Sequence, residues 1–66
     1  MRISKSKLDL ALARKCWNQR VLRENCNISA QTLINVNAGK SVLPSTVGKI
    51  AHALGVDVAE IIEKEN

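Results

Sequence analysis

From residue 30 to residue 37 the chain reads AQTLINVN, and Gln31, Thr32, Asn35 and Asn37 are all hydrogen-bonding yet uncharged. Read as a helix, this stretch turns Leu33 and Val36 one way and those amides and hydroxyls the other. Exposed helix faces usually carry Lys and Glu, so a neutral face able both to donate and to accept suits direct recognition of another polar surface. An ordinary solvated helix rich in amides is the plainer alternative. A second constellation, Cys16, Cys26 and His52, holds metal-binding and nucleophilic atom types. Its spacing fits no zinc pattern, and a structural site needs four ligands. Cys–His catalysis fares no better, because the chain is too small to enclose a substrate and nothing in it suggests an oxyanion hole. No metal, no cofactor, no small-molecule substrate and no catalytic residue are expected. Both thiols are expected to be free and mostly buried, with no CxxC pairing.

The charge around that neutral face narrows what it meets. Residues 1–49 hold nine Lys/Arg against Asp9 and Glu24, a net +7, while residues 50–66 hold Lys64 against Asp57, Glu60, Glu63 and Glu65, a net −3. No carboxylate occurs between Glu24 and Asp57. A basic body with an acidic end is the footprint of a polyanion binder, though charge alone is equally that of a solvated basic surface. Helix capping and solubility account for the acidic stripe Asp57, Glu60 and Glu63. The functional alternative is that it holds that side away from a polyanion or pairs with a basic partner. No apolar run approaches membrane-spanning length and no secretory signal opens the chain, so a cytoplasmic protein with no membrane contact is expected.

The elements that must position these residues follow from periodicity. Sixty-six residues make one domain, with an ordered core expected over about residues 6–63. Trp17 is the lone aromatic, so the core is aliphatic, which favours helices packed on helices. Trp17 itself reads as packing at a helix corner rather than as a stacking platform. Five helical patterns are predicted. The first starts at Ser6, with Asp9 in the capping-box place and Leu8, Leu12 and Cys16 on one stripe. The second opens at the cap Asn18 and ends at Asn27, a residue that tolerates left-handed backbone, with Ile28 as an apolar plug. Ser29 caps the third, which stops at Gly39. After a loop over residues 40–43, Pro44 and Ser45 start the fourth, whose inward stripe is Val47, Ile50, Ala51 and Leu54, closed by Gly55. Asp57 and Glu60 open the fifth, with Ile61 on its buried face. Residues 64–66 are expected to fray.

Two helices of about eight residues joined by Asn27, Ile28 and Ser29 form a helix-turn-helix pattern. The major groove of duplex DNA admits one helix and is read there by amides, hydroxyls and methyl groups. Ala30, Gln31, Thr32 and Asn35 meet that need as base-contacting candidates. Gln19 stands at a helix start, where free N–H groups and the dipole favour a phosphate. With Arg20, Arg23, Lys40, Ser41, Ser45 and Thr46 it makes the candidate set for the backbone, which fixes orientation while base contacts set sequence. Ser45 and Thr46 have a competing role as caps of the fourth helix.

Gln19–x–x–Leu22, Ile28–Ser29, Thr32–Leu33, Gly39, Pro44 and KIAHALGVDVAEII over residues 49–62 together resemble the Cro/repressor-type helix-turn-helix proteins, the XRE family. The resemblance spans about residues 8–63. It implies an all-α, compact five-helix bundle of the lambda-repressor-like type, with helices two and three as the reading unit, Gln19 on a phosphate, and Ala30, Gln31 and Asn35 facing bases. It further implies a repressor that acts as a dimer on two half-sites. The chain departs from the family pattern at Arg23 (usually a small Ala), Asn27 (usually Gly), Asn37 (often a Glu paired with an Arg of helix one) and Pro44, which comes one residue late.

The function expected is therefore sequence-specific binding of double-stranded DNA by a transcriptional regulator, a repressor, without enzymatic activity. A homodimer is a candidate arrangement, using Val58, Ile61 and Ile62 or exposed Leu10 and Trp17. The rival reading is a small protein-interaction module, antitoxin-like or an anti-regulator partner, built on the same bundle.

Overall fold

The structure, a computed structural model, describes residues 1–63; the expected fraying of residues 64–66 lies outside them. The described residues form four α-helices, α1 (Lys5–Lys15), α2 (Gln19–Cys26), α3 (Ala30–Asn37) and α4 (Pro44–Leu54), followed by a 3₁₀ turn, Val58–Glu60. α4 is the centre of the packing. It lies against α2 most closely and also against α1 and the 3₁₀ turn. Val47, Ile50, Ala51 and Leu54 are all buried, on the stripe predicted for them. Leu8, Leu12, Leu22, Cys26, Val36 and Ile61 complete most of the core, and none of the buried described residues is polar or charged. Burial in this apolar setting raises the thiol pKa of Cys26, because desolvation disfavours the thiolate.

Local capping explains where the helices begin and end. Asn18 Oδ1 accepts from the Val21 N–H at 2.9 Å and Ser29 Oγ from that of Thr32 at 3.1 Å, both as expected. Asn27 closes α2 at φ 56° and Gly55 closes α4 at φ 69°, the left-handed backbone that satisfies the last carbonyls. At α1 the expectation is corrected by two residues. Ser4, not Ser6, caps the helix, and Asp9 forms an ion pair with Lys5 at 2.7 Å instead of joining a capping box. Cys16 is also displaced from its expected stripe. It is the left-handed C-cap of α1, at φ 57°, and its side chain is exposed.

The largest correction concerns the expected fifth helix, which is only the 3₁₀ turn. Glu60 Oε2 accepts the Asp57 N–H at 3.0 Å, so the D-x-x-E pattern caps a single turn. Beyond it the chain extends to meet the segment before α1. Ile3 and Ile62 form an antiparallel bridge, the Ser4 N–H donates to Ile61 C=O at 2.8 Å, and the Glu63 N–H donates to Arg2 C=O at 3.0 Å. These inter-segment bonds satisfy the backbone groups that further helical turns would have used. Ile3, ahead of the expected ordered stretch, is fully buried. Ile61 is buried as well, which removes it from the surface suggested for self-association; Leu10 remains 63% exposed.

The same N-terminal segment reaches the loop after α3. The Val42 N–H donates to Met1 C=O at 2.7 Å, and the Met1 amine donates to Val42 C=O and Ser41 Oγ at 2.9 and 3.1 Å. Gly39, at φ 75°, makes the sharp exit from α3 that this loop requires.

Candidate nucleic-acid interface

α2, the turn and α3 hold the neutral side chains in place. Successive residues of a helix are rotated by roughly 100°, so Val36 and Leu33 fix which way the rest of α3 points. Val36 is buried and Leu33 half-buried against the core. The opposite side is exposed at Ala30, Gln31, Ile34 and Ala38. Thr32, Asn35 and Asn37 are half-buried on its flanks. Apart from Val36, no α3 side chain is fully buried, and the helix makes only sparse backbone approaches to the other elements.

Hydrogen bonds order the polar part of this face. Gln31 Nε2 donates to Asn35 Oδ1 at 3.2 Å, one turn apart on the same side. That bond leaves the Gln31 carbonyl free to accept and the Asn35 NH₂ free to donate. Thr32 Oγ1 lies 2.8 Å from Ser29 Oγ, which couples it to the helix cap. Asn37 is corrected from the outer face to the α2–α3 seam. It donates from Nδ2 to Gln19 Oε1 at 3.3 Å, while its own buried Oδ1 has no partner among the described residues. A buried carbonyl without a donor costs about 1–3 kcal/mol, so Asn37 sits there for its contact with Gln19 rather than for its own hydration. With its oxygen engaged, Gln19 keeps its NH₂ available at the start of α2.

The candidate backbone contacts lie on α2, on the loop after α3 and at the start of α4. Gln19 lies at the first residue of α2, with Arg20 and Arg23 exposed on the same helix. Arg20 Nε reaches Glu24 at 3.4 Å; at this exposure such a pair contributes little and leaves the guanidinium free to exchange partners. Lys40, Ser41 and Ser45 are exposed and Thr46 is half-buried. Leu43, not a serine or threonine, occupies the N-cap of α4, and no side chain caps that helix. Ser45 and Thr46 are thus not used as its caps. Between α3 and the start of α4 runs an open groove of about 490 Å³ lined by Thr32, Asn35, Ser41, Leu43 and Thr46 among others.

Two apolar residues of this surface escape the sequence reading. Ile34 is 58% exposed and Leu43 70%. The signal for Ile34 was present, since it lies about 200° around the helix from Val36 and the two cannot face the same core. Elsewhere Trp17 is half-buried with Lys15 Nζ 5.3 Å from its ring centroid, and His52 is exposed. Among the described residues, no group of His, Cys, Asp and Glu is gathered in a way that could hold a metal ion. No helix of the described residues is long and apolar enough to cross a membrane.

No protein-family model and no curated protein sequence matches the chain. Its fold is similar to that of a solved structure, the transcriptional regulator VanUg in its crystal form II, with a TM-score of 0.85 and 27% identity over 94% of this chain and 83% of that one. The arrangement described above is thus that of a small helix-turn-helix-type domain.

Proposed function

We propose that the chain is a sequence-specific regulator of transcription, a repressor, that lays α3 in the major groove of double-stranded DNA. The observation that carries this reading is α3 itself. It leaves Ala30, Gln31, Ile34 and Ala38 uncovered in a stretch of chain, Asn25 to Val56, without one carboxylate. A groove walled by phosphates repels carboxylates and is read by neutral donors, acceptors and methyl groups, so this face is suited to it. Ala30, Gln31, Thr32 and Asn35 face the bases in this reading, Thr32 through whichever part of its hydroxyl Ser29 leaves free. Gln19, Arg20, Arg23, Lys40, Ser41, Ser45 and Thr46 hold the backbone on either side. The likeness to a transcriptional regulator supports the assignment.

One such module covers little DNA, and tight specificity calls for more buried surface, so a homodimer on two half-sites belongs to the proposal. The uncovered Leu10 of α1 is the apolar residue best placed to serve it. The protein acts in the cytoplasm and needs no cofactor.

The test is equilibrium binding to random and to genomic duplex fragments across a salt series. A preference for particular fragments is expected, with log K falling linearly against log salt at a slope of about −0.9 per phosphate neutralised. Salt-insensitive binding, or equal binding to every duplex, would favour the rival role as a protein-interaction module.

A further inference from the structure

The outward line of α3 is more apolar than a purely hydrogen-bonding reader would need. Ala30, Ile34 and Ala38 follow one another at every fourth residue, all exposed, and Ile34 buries no more than part of its side chain within the protein. Beside this line stands the Gln31–Asn35 amide pair, whose mutual bond of 3.2 Å leaves one carbonyl and one NH₂ directed elsewhere. The two strips, one aliphatic and one amide, run along the helix together.

We propose that Ile34 is a specificity-determining residue which packs on thymine C5-methyl groups, so that α3 selects A·T pairs. This rests on the groove-reading assignment above. In the major groove adenine presents N7 as acceptor and its N6 amino group as donor, while the paired thymine adds O4 and a methyl group. The free Gln31 carbonyl and Asn35 NH₂ match the adenine amino group and N7, and the aliphatic strip meets the methyl. A G·C pair supplies no methyl. The choice of a nucleic acid rather than an apolar protein face as the occupant follows from charge. Lys40, exposed, follows two residues after Ala38, and no carboxylate lies between Glu24 and Asp57.

The experiment begins with selection of preferred duplexes from a random pool. Affinities are then measured for the selected duplex with thymine and with uracil, which lacks only the methyl, at each A·T position. The parent and Ile34→Ala are compared, with thermal unfolding as the control for folding. A·T pairs are expected at the positions α3 covers. Uracil there is expected to weaken the parent about fourfold per methyl left unburied. Ile34→Ala is expected to bind more weakly than the parent and to lose that sensitivity. Equal affinity of the parent for thymine and uracil duplexes overturns the proposal, as does an Ile34→Ala protein that keeps the whole uracil penalty. Should no duplex be enriched at all, the groove-reading assignment falls and this inference with it. Enrichment with indifference to uracil removes the role of Ile34 alone.

Discussion

α3 and α4 are neighbours in the chain, and they are held in opposite ways. α4 is held along its length, with Val47, Ile50, Ala51 and Leu54 buried against α2, α1 and the 3₁₀ turn. α3 buries Val36 alone and is held chiefly by its ends. Ser29 caps its start, Gly39 turns its exit, and the loop beyond is bonded to Met1. Across the seam to α2 it is tied by Asn37 and Gln19. A helix fastened in this way has a free long side, which is the geometry a groove reader requires. A helix buried along its length cannot do that work.

The sharpest way to break this contrast is to delete matched side chains from the two helices. Ile50→Ala removes a fully buried group from α4 and should destabilise by about 2–5 kcal/mol, enough to unfold much of a domain this small. Ile34→Ala should change stability by no more than about 0.5 kcal/mol. Urea melts of the two variants measure both, and equal losses would erase the distinction between a buried and a presented helix.

Binding sharpens it next. Gln31→Ala should reduce discrimination between bases by about 1–3 kcal/mol, whereas Lys40→Ala should weaken all sequences alike and lower the salt slope by about one. Gel shifts on a panel of duplexes separate the two patterns. The tie across the seam has a smaller effect. If Asn37 orients Gln19 toward a phosphate, Gln19→Ala and Asn37→Ala should each weaken binding by about 0.5–1.5 kcal/mol on every sequence. The double variant should then lose little more than either single one, because the effects belong to one interaction. Full additivity would make Asn37 a residue of the fold only.

The smallest expected effect concerns the thiols. Cys16 is exposed and Cys26 buried, so alkylation of the native protein should modify one thiol quickly and the other only as the domain opens. Since burial raises the Cys26 pKa in the folded state, its contribution to stability is complete below the ordinary thiol range. It is lost as pH rises through the raised value. Melts in alkaline buffer measure that loss.

Much of the helical frame was legible in the sequence because it rests on local signals. Asn18 and Ser29 as caps, Asn27 and Gly55 as left-handed stops, and the α4 stripe all follow from side chains within one or two turns. What escaped depends on distant partners. Ile3 looks like a loose end until Ile62 is beside it, and the same pairing ends the expected fifth helix after one 3₁₀ turn. Cys16 keeps the helical spacing of Leu8 and Leu12, yet the left-handed cap swings it out to solvent. In the candidate site, the amides at Gln31 and Asn35 were visible from residue type and spacing. The role of Asn37 was not, because its partner, Gln19, lies eighteen residues away on another helix. Ile34 was not singled out, although its rotation of about 200° from Val36 already sets it on the uncovered side.

The central claim is that the free side of α3 enters a duplex. Backbone amide chemical shifts recorded while a selected duplex is titrated into the protein test it most directly. The largest changes are expected over residues 30–38, with further changes over residues 19–23 and 40–46, and little movement over residues 57–63. Changes gathered on residues 57–63 and on the Leu10 face of α1, with residues 30–38 undisturbed, would contradict it.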